Sequence, residues 1–322
     1  MRELEGLFLN VLYYSHPSAL DHNAGPGHPE AARRLVAIED LLAARAPVFL
    51  ERREAPKASL EQVERVHPAP YPARILEAEP ASGLRQLDAD TALSPGSGEA
   101  ALRGAGAACA AVDALLAGEA KRAFVAMRPP GHHAEPDRPM GFCLFNTVAI
   151  GAMQARFAHG LGRVAIFDFD VHHGNGTQAA FWEDPETLYL STHQMPLYPG
   201  TGAADEAGSF GNIVNAPCPP GMGSGGWRRL VESRILPRID LFRPQLVMLS
   251  AGFDAHAADP LAQLRLDEAD FAWATREVVA LAERHAEGRV VAVLEGGYDP
   301  PALARSVFAH LEALAGVPSG SP

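Results

Sequence analysis

Lysine is almost absent from this chain of 322 residues, since Lys57 and Lys121 are the only two. Arginine therefore carries nearly all of the positive charge, and the pattern is typical of a GC-rich bacterial genome. Acidic residues outnumber basic ones by 39 to 27, which gives a net charge of -12. Such a surface argues against nucleic acid or an anionic membrane as a partner. It is compatible with a cationic peptide or a polyamine.

Cysteine and long apolar runs are also scarce. The three cysteines, Cys109, Cys143 and Cys218, have no Cys-x-x-Cys spacing, which predicts no disulfide framework and a reducing, cytoplasmic location. No run of about 18 apolar residues occurs, so we expect no membrane-spanning helix. The first residues lack the basic segment and cleavage site of a secretory signal, and we interpret them as a strand.

Strand and helix patterns alternate along the chain. Buried-strand patterns cover residues 8–14, 123–127, 164–169, 187–191, 246–250 and 290–294. Helical patterns cover residues 29–44, 97–116, 145–159, 227–239, 268–286 and 301–315. This alternation predicts an α/β fold with a single open parallel sheet flanked by helices. We expect one catalytic domain over residues 1–322, with a long loop at 216–226 and a flexible tail at 316–322.

Unusual polar residues follow several of the predicted strands. They occur in the segments RPPGHH (128–133), DFDVHHGN (168–175), STH (191–193), SAGFD (250–254) and EGGY (295–298). Because parallel strands end at one edge of a sheet, these segments are expected to meet there. The concentration predicts a catalytic rim.

Asp168, Asp170 and His172 alternate with apolar residues where an apolar strand ends, so their side chains are expected to share a face. Two carboxylates placed together repel each other unless a cation compensates them. An Asp-x-His pair with one more carboxylate matches a catalytic zinc site, in which three protein ligands leave a position for water. Asp254 is the expected third ligand. The alternative for Asp168, Asp170 and His172 is a hydrogen-bonded strand end that caps the next helix.

His132, His133 and Tyr298 follow turns rich in proline or glycine. Beside a zinc-activated water, the two histidines would supply a general base and a second proton carrier. Tyr298 would donate a hydrogen bond to a developing oxyanion. The alternatives are two loop histidines bonded to backbone and a tyrosine that only packs in the core.

Together these segments resemble the signature blocks of the histone deacetylase family, nearest its class II branch and the bacterial zinc-dependent deacetylases and acetylpolyamine amidohydrolases. The resemblance rests on RPPGHHAEPD, GFCLFN, DFDVHHGNGT, SAGFDAHAADPL and LEGGYDP, with GHPEAARRL upstream. It covers nearly the whole chain, from about residue 22 to the last helix. It implies the arginase/deacetylase fold.

The resemblance also implies roles for individual residues. Asp170, His172 and Asp254 would hold zinc. His133 would be the main general base and acid, oriented by Asn175, and His132 a second proton-bearing group, oriented by Asp168. Class I relatives usually carry aspartate at the Asn175 position. An asparagine adds no charge, so the pKa of His133 should be lower than in those relatives.

Residues of the substrate path are implied in the same way. Phe142 and Tyr198 resemble the aromatic walls of an acyl-lysine tunnel, with Gly141 beside them. Leu261 matches a position at the tunnel mouth, Asp90 a rim residue that holds substrate backbone, and Arg34 the arginine of an inner acetate-release cavity. A structural potassium ion is implied near Asp168, Asp170, His172, Ser191 and Thr192.

The function that follows is hydrolysis of an acyl amide on a lysine side chain of a protein or peptide. Leu261 favours this substrate over acetylpolyamines, because a glutamate at that position would attract the second ammonium of a polyamine. Three alternatives stay open: an acetylpolyamine amidohydrolase, an arginase-like binuclear manganese hydrolase and a non-catalytic acyl-lysine binder. The second needs another acidic ligand where this chain has His173, Gly174 and Asn175.

Overall fold

Strands and helices alternate through residues 10–318, the part of the chain that the computed structural model describes. The strands are β1 (Val11–Ser15), β2 (Leu50–Glu54), β3 (Arg85–Gln86), β4 (Ala92–Leu93), β5 (Arg122–Val125), β6 (Val164–Asp168), β7 (Thr187–Gln194), β8 (Ile213–Cys218), β9 (Leu246–Ala251) and β10 (Val290–Leu294). Eight of them form one sheet in the order β2-β1-β5-β10-β9-β6-β7-β8, and every neighbouring pair is parallel. β3 and β4 form a small antiparallel pair. The prediction of an open parallel sheet is confirmed.

Apolar runs make up most of the central strands because both faces of the sheet are covered, and polar residues occur at some strand ends, such as Asp168 in β6. Every residue of β6, β7, β9 and β10 is buried, which is typical of parallel strands between helical layers. The edge strand β2 reads LERRE and is partly exposed, so an apolar pattern could not reveal it. The predicted bounds of the loop at 216–226 were wrong. β8 extends to Cys218 and a helix begins at Ser224, so the loop covers only residues 219–223.

Helices flank the sheet. The long ones are α2 (Arg33–Arg45), α5 (Ser97–Leu116), α6 (Thr147–Phe157), α10 (Glu268–His285) and α11 (Pro300–Ala315). The short ones are α1 (Ser18–Asp21), α3 (Leu60–Glu64), α4 (Tyr71–Glu77), α7 (Asn175–Ala180), α8 (Ser224–Leu230) and α9 (Leu236–Phe242), with a π-helical turn at Val231–Ile235. α11 packs against α2 and α10, while α5 packs against α6.

Helix ends follow local capping chemistry. α6 begins at Thr147 because the Asn146 side chain accepts a hydrogen bond from the Ala149 N–H at 3.1 Å. α11 begins after Asp299, whose side chain accepts from the Ala302 N–H at 2.9 Å. The helix expected at 227–239 is divided by the π-helical turn.

The ends of the chain limit two further predictions. Residues 8 and 9 of the first predicted strand, and residues 319–322 of the predicted tail, lie outside the described residues. Gly316 ends α11 in the left-handed conformation, with φ +77°. Within residues 10–318, no helix combines the length and the hydropathy needed to cross a membrane.

Candidate active site

Two carboxylates and an imidazole meet where β6 and β9 end. One potential ligand atom from each of Asp170, His172 and Asp254 lies within 4.8 Å of the other two. His172 Nδ1 is 3.1 Å from Asp170 Oδ1 and 3.1 Å from Asp254 Oδ2. All three residues are buried. In the described part of the chain this is the one cluster of histidine, cysteine or acidic residues with metal-ligand spacing.

Backbone groups fix the two carboxylates. Asp254 Oδ1 accepts a hydrogen bond from the Val171 N–H at 2.8 Å, and Asp170 Oδ2 accepts from the Gly296 N–H at 2.8 Å. A Cβ atom at Gly296 would overlap both carboxylates, and one at Gly252 would overlap that of Asp170. Only glycine lets the backbone pass this close to the cluster.

The electrostatics of the cluster call for a cation. Burial by itself lowers the pKa of His172, but hydrogen bonds to Asp170 and Asp254 outweigh it and raise that pKa to about 10. Burial and the neighbouring Asp170 raise the pKa of Asp254. Both effects express the cost of burying two facing carboxylates without a compensating positive charge.

His132 and His133 lie side by side above this cluster but have different partners. Their ring centroids are 4.0 Å apart. His132 Nδ1 lies 2.9 Å from Asp168 Oδ2, and His133 Nδ1 lies 2.8 Å from Asn175 Oδ1. Burial lowers the pKa of His132, but Asp168 and Asp170 outweigh it and hold that pKa well above its usual value. Burial, with the neighbouring His132, holds the pKa of His133 well below its usual value.

The hydrogen bonds of Asn175 decide which nitrogen of His133 carries the proton. Asn175 Nδ2 donates to Glu135 Oε1 at 2.7 Å, so Asn175 Oδ1 faces the imidazole. An amide oxygen can only accept, so His133 Nδ1 is the donor, and Nε2 of the neutral ring is left as an acceptor. Glu135 was not expected from the sequence, because its role depends on contact with a residue forty positions away.

The loop that carries Tyr298 is held from two sides. Fully buried Arg34 donates from Nε to the Gly297 carbonyl at 2.6 Å and from Nη2 to the Glu295 carbonyl. Its guanidinium lies 5.0 Å from the centre of the Tyr298 ring. On the other side, Asp259 Oδ2 accepts from the Tyr298 N–H at 2.7 Å. Arg34 thus lies behind Tyr298, and its part in acetate release stays a prediction.

Asp259 also reaches the entrance of the site. Its Oδ1 accepts from the Leu261 N–H at 2.9 Å, so one buried carboxylate joins Leu261 to Tyr298. Burial and the neighbouring Asp254 raise the pKa of Asp259 to about 7. The sequence analysis missed this residue, although an aspartate in the loop after Asp254 was a visible signal.

A cavity of about 230 Å³ leads from the surface to these groups. Its lining comprises Asp90, His133, Gly141, Phe142, His172, Tyr198, Leu261 and Tyr298. The predicted tunnel residues therefore surround one space. Phe142 has φ +68°, a left-handed conformation that is costly for a bulky side chain. Hydrogen bonds from the Gly141 N–H to Asp90 Oδ1 at 3.1 Å and from the Phe142 N–H to Thr91 Oγ1 at 3.0 Å hold the segment in place.

Other predicted residues lie behind the cavity. Asp168 bonds His132, and it also accepts from the Tyr189 hydroxyl at 3.1 Å. Ser191 is the register neighbour of Asp168 on β7, and Thr192 Oγ1 accepts from Trp227 Nε1 at 3.2 Å. Of the residues named for potassium, Ser191 and Thr192 thus lie within β7, beside the end of β6 that carries Asp168.

Two more buried acids were given no role in the sequence analysis. Glu295 Oε2 accepts from the backbone N–H groups of Gly131 at 2.7 Å and His132 at 3.2 Å, so it fixes the turn that carries both histidines. Glu30 pairs with Arg128 and Arg34. A charged residue directly after an apolar strand was the available signal for Glu295.

Comparisons with known proteins find similar sequences and a similar structure. The family model of the histone deacetylase domain matches residues 28–314 of this chain. The chain is 43% identical over 303 residues to a histone deacetylase-like amidohydrolase of Pseudomonas aeruginosa, covering 92% of this chain and 79% of the relative. It is 44% identical over 289 residues to a probable deacetylase of Archaeoglobus fulgidus, covering 88% and 80% of the two chains. A crystal structure of the HDA15 HD domain superposes with a TM-score of 0.89 at 33% identity, covering 97% of this chain and 90% of that one.

Proposed function

The chain belongs to the histone deacetylase family, and from that premise we propose that it is a zinc-dependent enzyme that removes acetyl or related acyl groups from lysine side chains of proteins or peptides. The observation that carries the proposal is the single cavity that His133, His172 and Tyr298 line together. It joins a metal-binding cluster, a neutral imidazole and a phenol. These are the parts that metal-assisted amide hydrolysis needs.

The donor set of Asp170, His172 and Asp254 fits zinc. Two carboxylates and one imidazole nitrogen are ligands that zinc prefers, and three protein ligands leave a position for water and substrate. The glycines at 252 and 296 leave room for the carboxylates to face one another. The chemistry that zinc supplies when bound is polarisation of an amide carbonyl and acidification of water.

His133 is the proton acceptor in this proposal. Its lowered pKa keeps the ring neutral, and Asn175 occupies Nδ1, so Nε2 is free to take a proton from the attacking water. The same nitrogen then returns the proton to the leaving amine. His132, whose pKa is raised, contributes positive charge beside the reacting atoms.

Tyr298 is the oxyanion donor. Burial raises the pKa of its phenol well above the usual value, so the hydroxyl keeps its proton and can donate to the negative oxygen of the tetrahedral species. Phe142 and Tyr198 would line the path of an aliphatic lysine stem. Leu261 places an apolar group at the entrance, which supports acyl-lysine over acetylpolyamines. A potassium ion behind Asp168 and a cytoplasmic location are part of the same proposal.

Metal analysis combined with turnover tests the proposal. We expect close to one equivalent of zinc, inhibition by hydroxamates, and a higher kcat/KM for an acetyl-lysine fluorogenic peptide than for acetylspermidine or acetylputrescine. Two equivalents of manganese would indicate an arginase-like enzyme, and zinc without turnover would indicate an acyl-lysine binder. A strong preference for acetylpolyamines would overturn the substrate assignment and leave the hydrolase chemistry intact.

A further inference from the structure

The active-site cavity is called the tunnel from here on. A groove of about 530 Å³ opens beside its mouth. Arg74, Arg85 and Arg138 line it, together with a single carboxylate residue, Asp137. The chain as a whole carries a net charge of -12, whereas the side chains that line this groove carry a net positive charge. We call it the arginine groove.

The arginine groove and the tunnel are lined by residues that are close together in the chain. Leu87 and Pro139 line the groove, while Asp90 and Gly141 line the tunnel. The hydrogen bond from the Gly141 N–H to Asp90 Oδ1 ties the two segments together. Since consecutive Cα atoms are about 3.8 Å apart, Gly141 lies within about 8 Å of Pro139. Two or three extended peptide residues span such a distance at about 3.3–3.6 Å each.

Two of the guanidinium groups have spare hydrogen-bond donors. Arg85 makes one contact, from Nη1 to the Ala78 carbonyl at 3.4 Å, and Arg74 donates from Nη2 to the Asp137 backbone carbonyl at 2.6 Å. Neither forms an ion pair with any residue in the described chain, whereas Arg138 pairs with Glu135 at 3.1 Å. Arg74 and Arg85 are both exposed. Their planar, permanently charged groups suit bidentate binding of a carboxylate.

We propose that the arginine groove binds an acidic side chain of the substrate peptide, one to three residues from the acyl-lysine in the tunnel. The inference rests on the proposed function and narrows its substrate class to acyl-lysine peptides with a neighbouring aspartate or glutamate. It also adds a reason for poor binding of polyamines, because their remaining ammonium groups would be repelled by the same arginines.

A peptide series with one variable position tests the inference. Acetyl-lysine heptapeptides on a glycine and serine background carry either glutamate or glutamine at one of the three positions on each side. We expect glutamate to lower KM by roughly twofold to fivefold at one or two positions, because exposed ion pairs contribute weakly. kcat should stay unchanged, and the preference should fade in 1 M salt, where charges are screened within about 3 Å.

Variants separate the groove from a general charge effect. Arg74→Gln combined with Arg85→Gln should abolish the glutamate preference and leave turnover of the glutamine peptides unchanged. Arg85→Glu should also remove the preference, because the groove would then be lined by two arginines and two carboxylates. Arg234→Gln is the matched control, since Arg234 is an exposed arginine of the π-helical turn, and the preference should persist.

The outcomes are distinguishable. Equal KM for glutamate and glutamine peptides at every position would overturn the groove assignment while the proposed function stands. A glutamate preference that persists in the variant with both Arg74→Gln and Arg85→Gln would also overturn the groove assignment. If no peptide of the series is hydrolysed, the proposed function fails and this inference fails with it.

Discussion

The floor of the tunnel and its mouth are built differently. At the floor, Asp170 and Asp254 are almost completely buried, and each carboxylate has a fixed backbone donor. At the mouth, Tyr198 is 38% exposed and Leu261 is partly exposed. In the proposed function, chemistry and substrate choice therefore belong to separate regions: the pre-organised floor would set the rate, and the looser mouth would select the amine that enters.

The largest expected effect is at the floor. Asp254→Ala should lose both zinc and activity, since it removes one of the three proposed ligands. Metal analysis and a turnover assay of the purified variant check this, with a circular dichroism spectrum to confirm folding. Full zinc occupancy in the variant would show that Asp254 is not the third ligand.

Tyr298→Phe should have the second-largest effect on activity. The variant should keep zinc and lose about 2.7–4 kcal/mol of transition-state stabilisation, by analogy with removal of an oxyanion donor. Affinity for a substrate peptide should fall much less than kcat. Tyr198→Phe is the matched control, because it removes a phenolic hydroxyl from the wall of the same cavity and should leave kcat close to that of the parent. Wild-type turnover by Tyr298→Phe would make Tyr298 a packing residue.

Asp259→Asn tests whether floor and mouth are independent, because Asp259 bonds the backbone of both Tyr298 and Leu261. An asparagine presents one oxygen and one NH2 group, so one of the two backbone N–H groups faces a donor and the link between the Tyr298 and Leu261 segments must shift. We expect kcat to fall by up to about 100-fold, as small misplacements can cost. In a Tyr298→Phe background the same substitution should have little further effect on kcat. Equal losses in both backgrounds would mean that Asp259 does not act through Tyr298.

Leu261→Glu should have a smaller effect, confined to the mouth. A carboxylate there should attract the second ammonium of a polyamine and shift kcat/KM toward acetylspermidine by about fivefold, the upper range for an exposed ion pair. Zinc content should not change. An unchanged ratio of kcat/KM for acetyl-lysine peptide and acetylspermidine would remove Leu261 from substrate selection.

The smallest expected change concerns pH. Asn175→Asp, combined with Glu135→Gln so that the new carboxylate does not face that of Glu135, places a negative charge beside His133 Nδ1, which favours the imidazolium and raises the pKa of His133. Because His133 must be neutral to accept a proton, the acid limb of kcat/KM should move to higher pH. A pH profile of the variant measures the shift. An unmoved acid limb would mean that a group other than His133 sets it.

Much of the fold could be predicted because the central strands contain continuous apolar runs. Continuous apolar runs identified β5, β6, β7, β9 and β10. The edge strands β2 and β8 were not predicted, because a strand at the edge of a sheet need not be apolar. In addition, β8 continues into a segment rich in proline and glycine. The π-helical turn in the middle of a helix has no periodic signature at all.

The sequence predicts which residue types form the site, but it does not predict how those residues contact one another. Local patterns identify the chemical groups of the site, because Asp-x-His after an apolar strand and Tyr after two glycines can be recognised from the chain alone. Three arrangements depend on the folded protein: Asp259 joins Tyr298 to Leu261, Glu135 selects the orientation of Asn175, and Arg74 and Arg85 line a groove beside the tunnel. These contacts depend on hydrogen bonds and charges between loops that are distant in the chain. Their energies arise only when folding brings the groups within a few ångströms of one another.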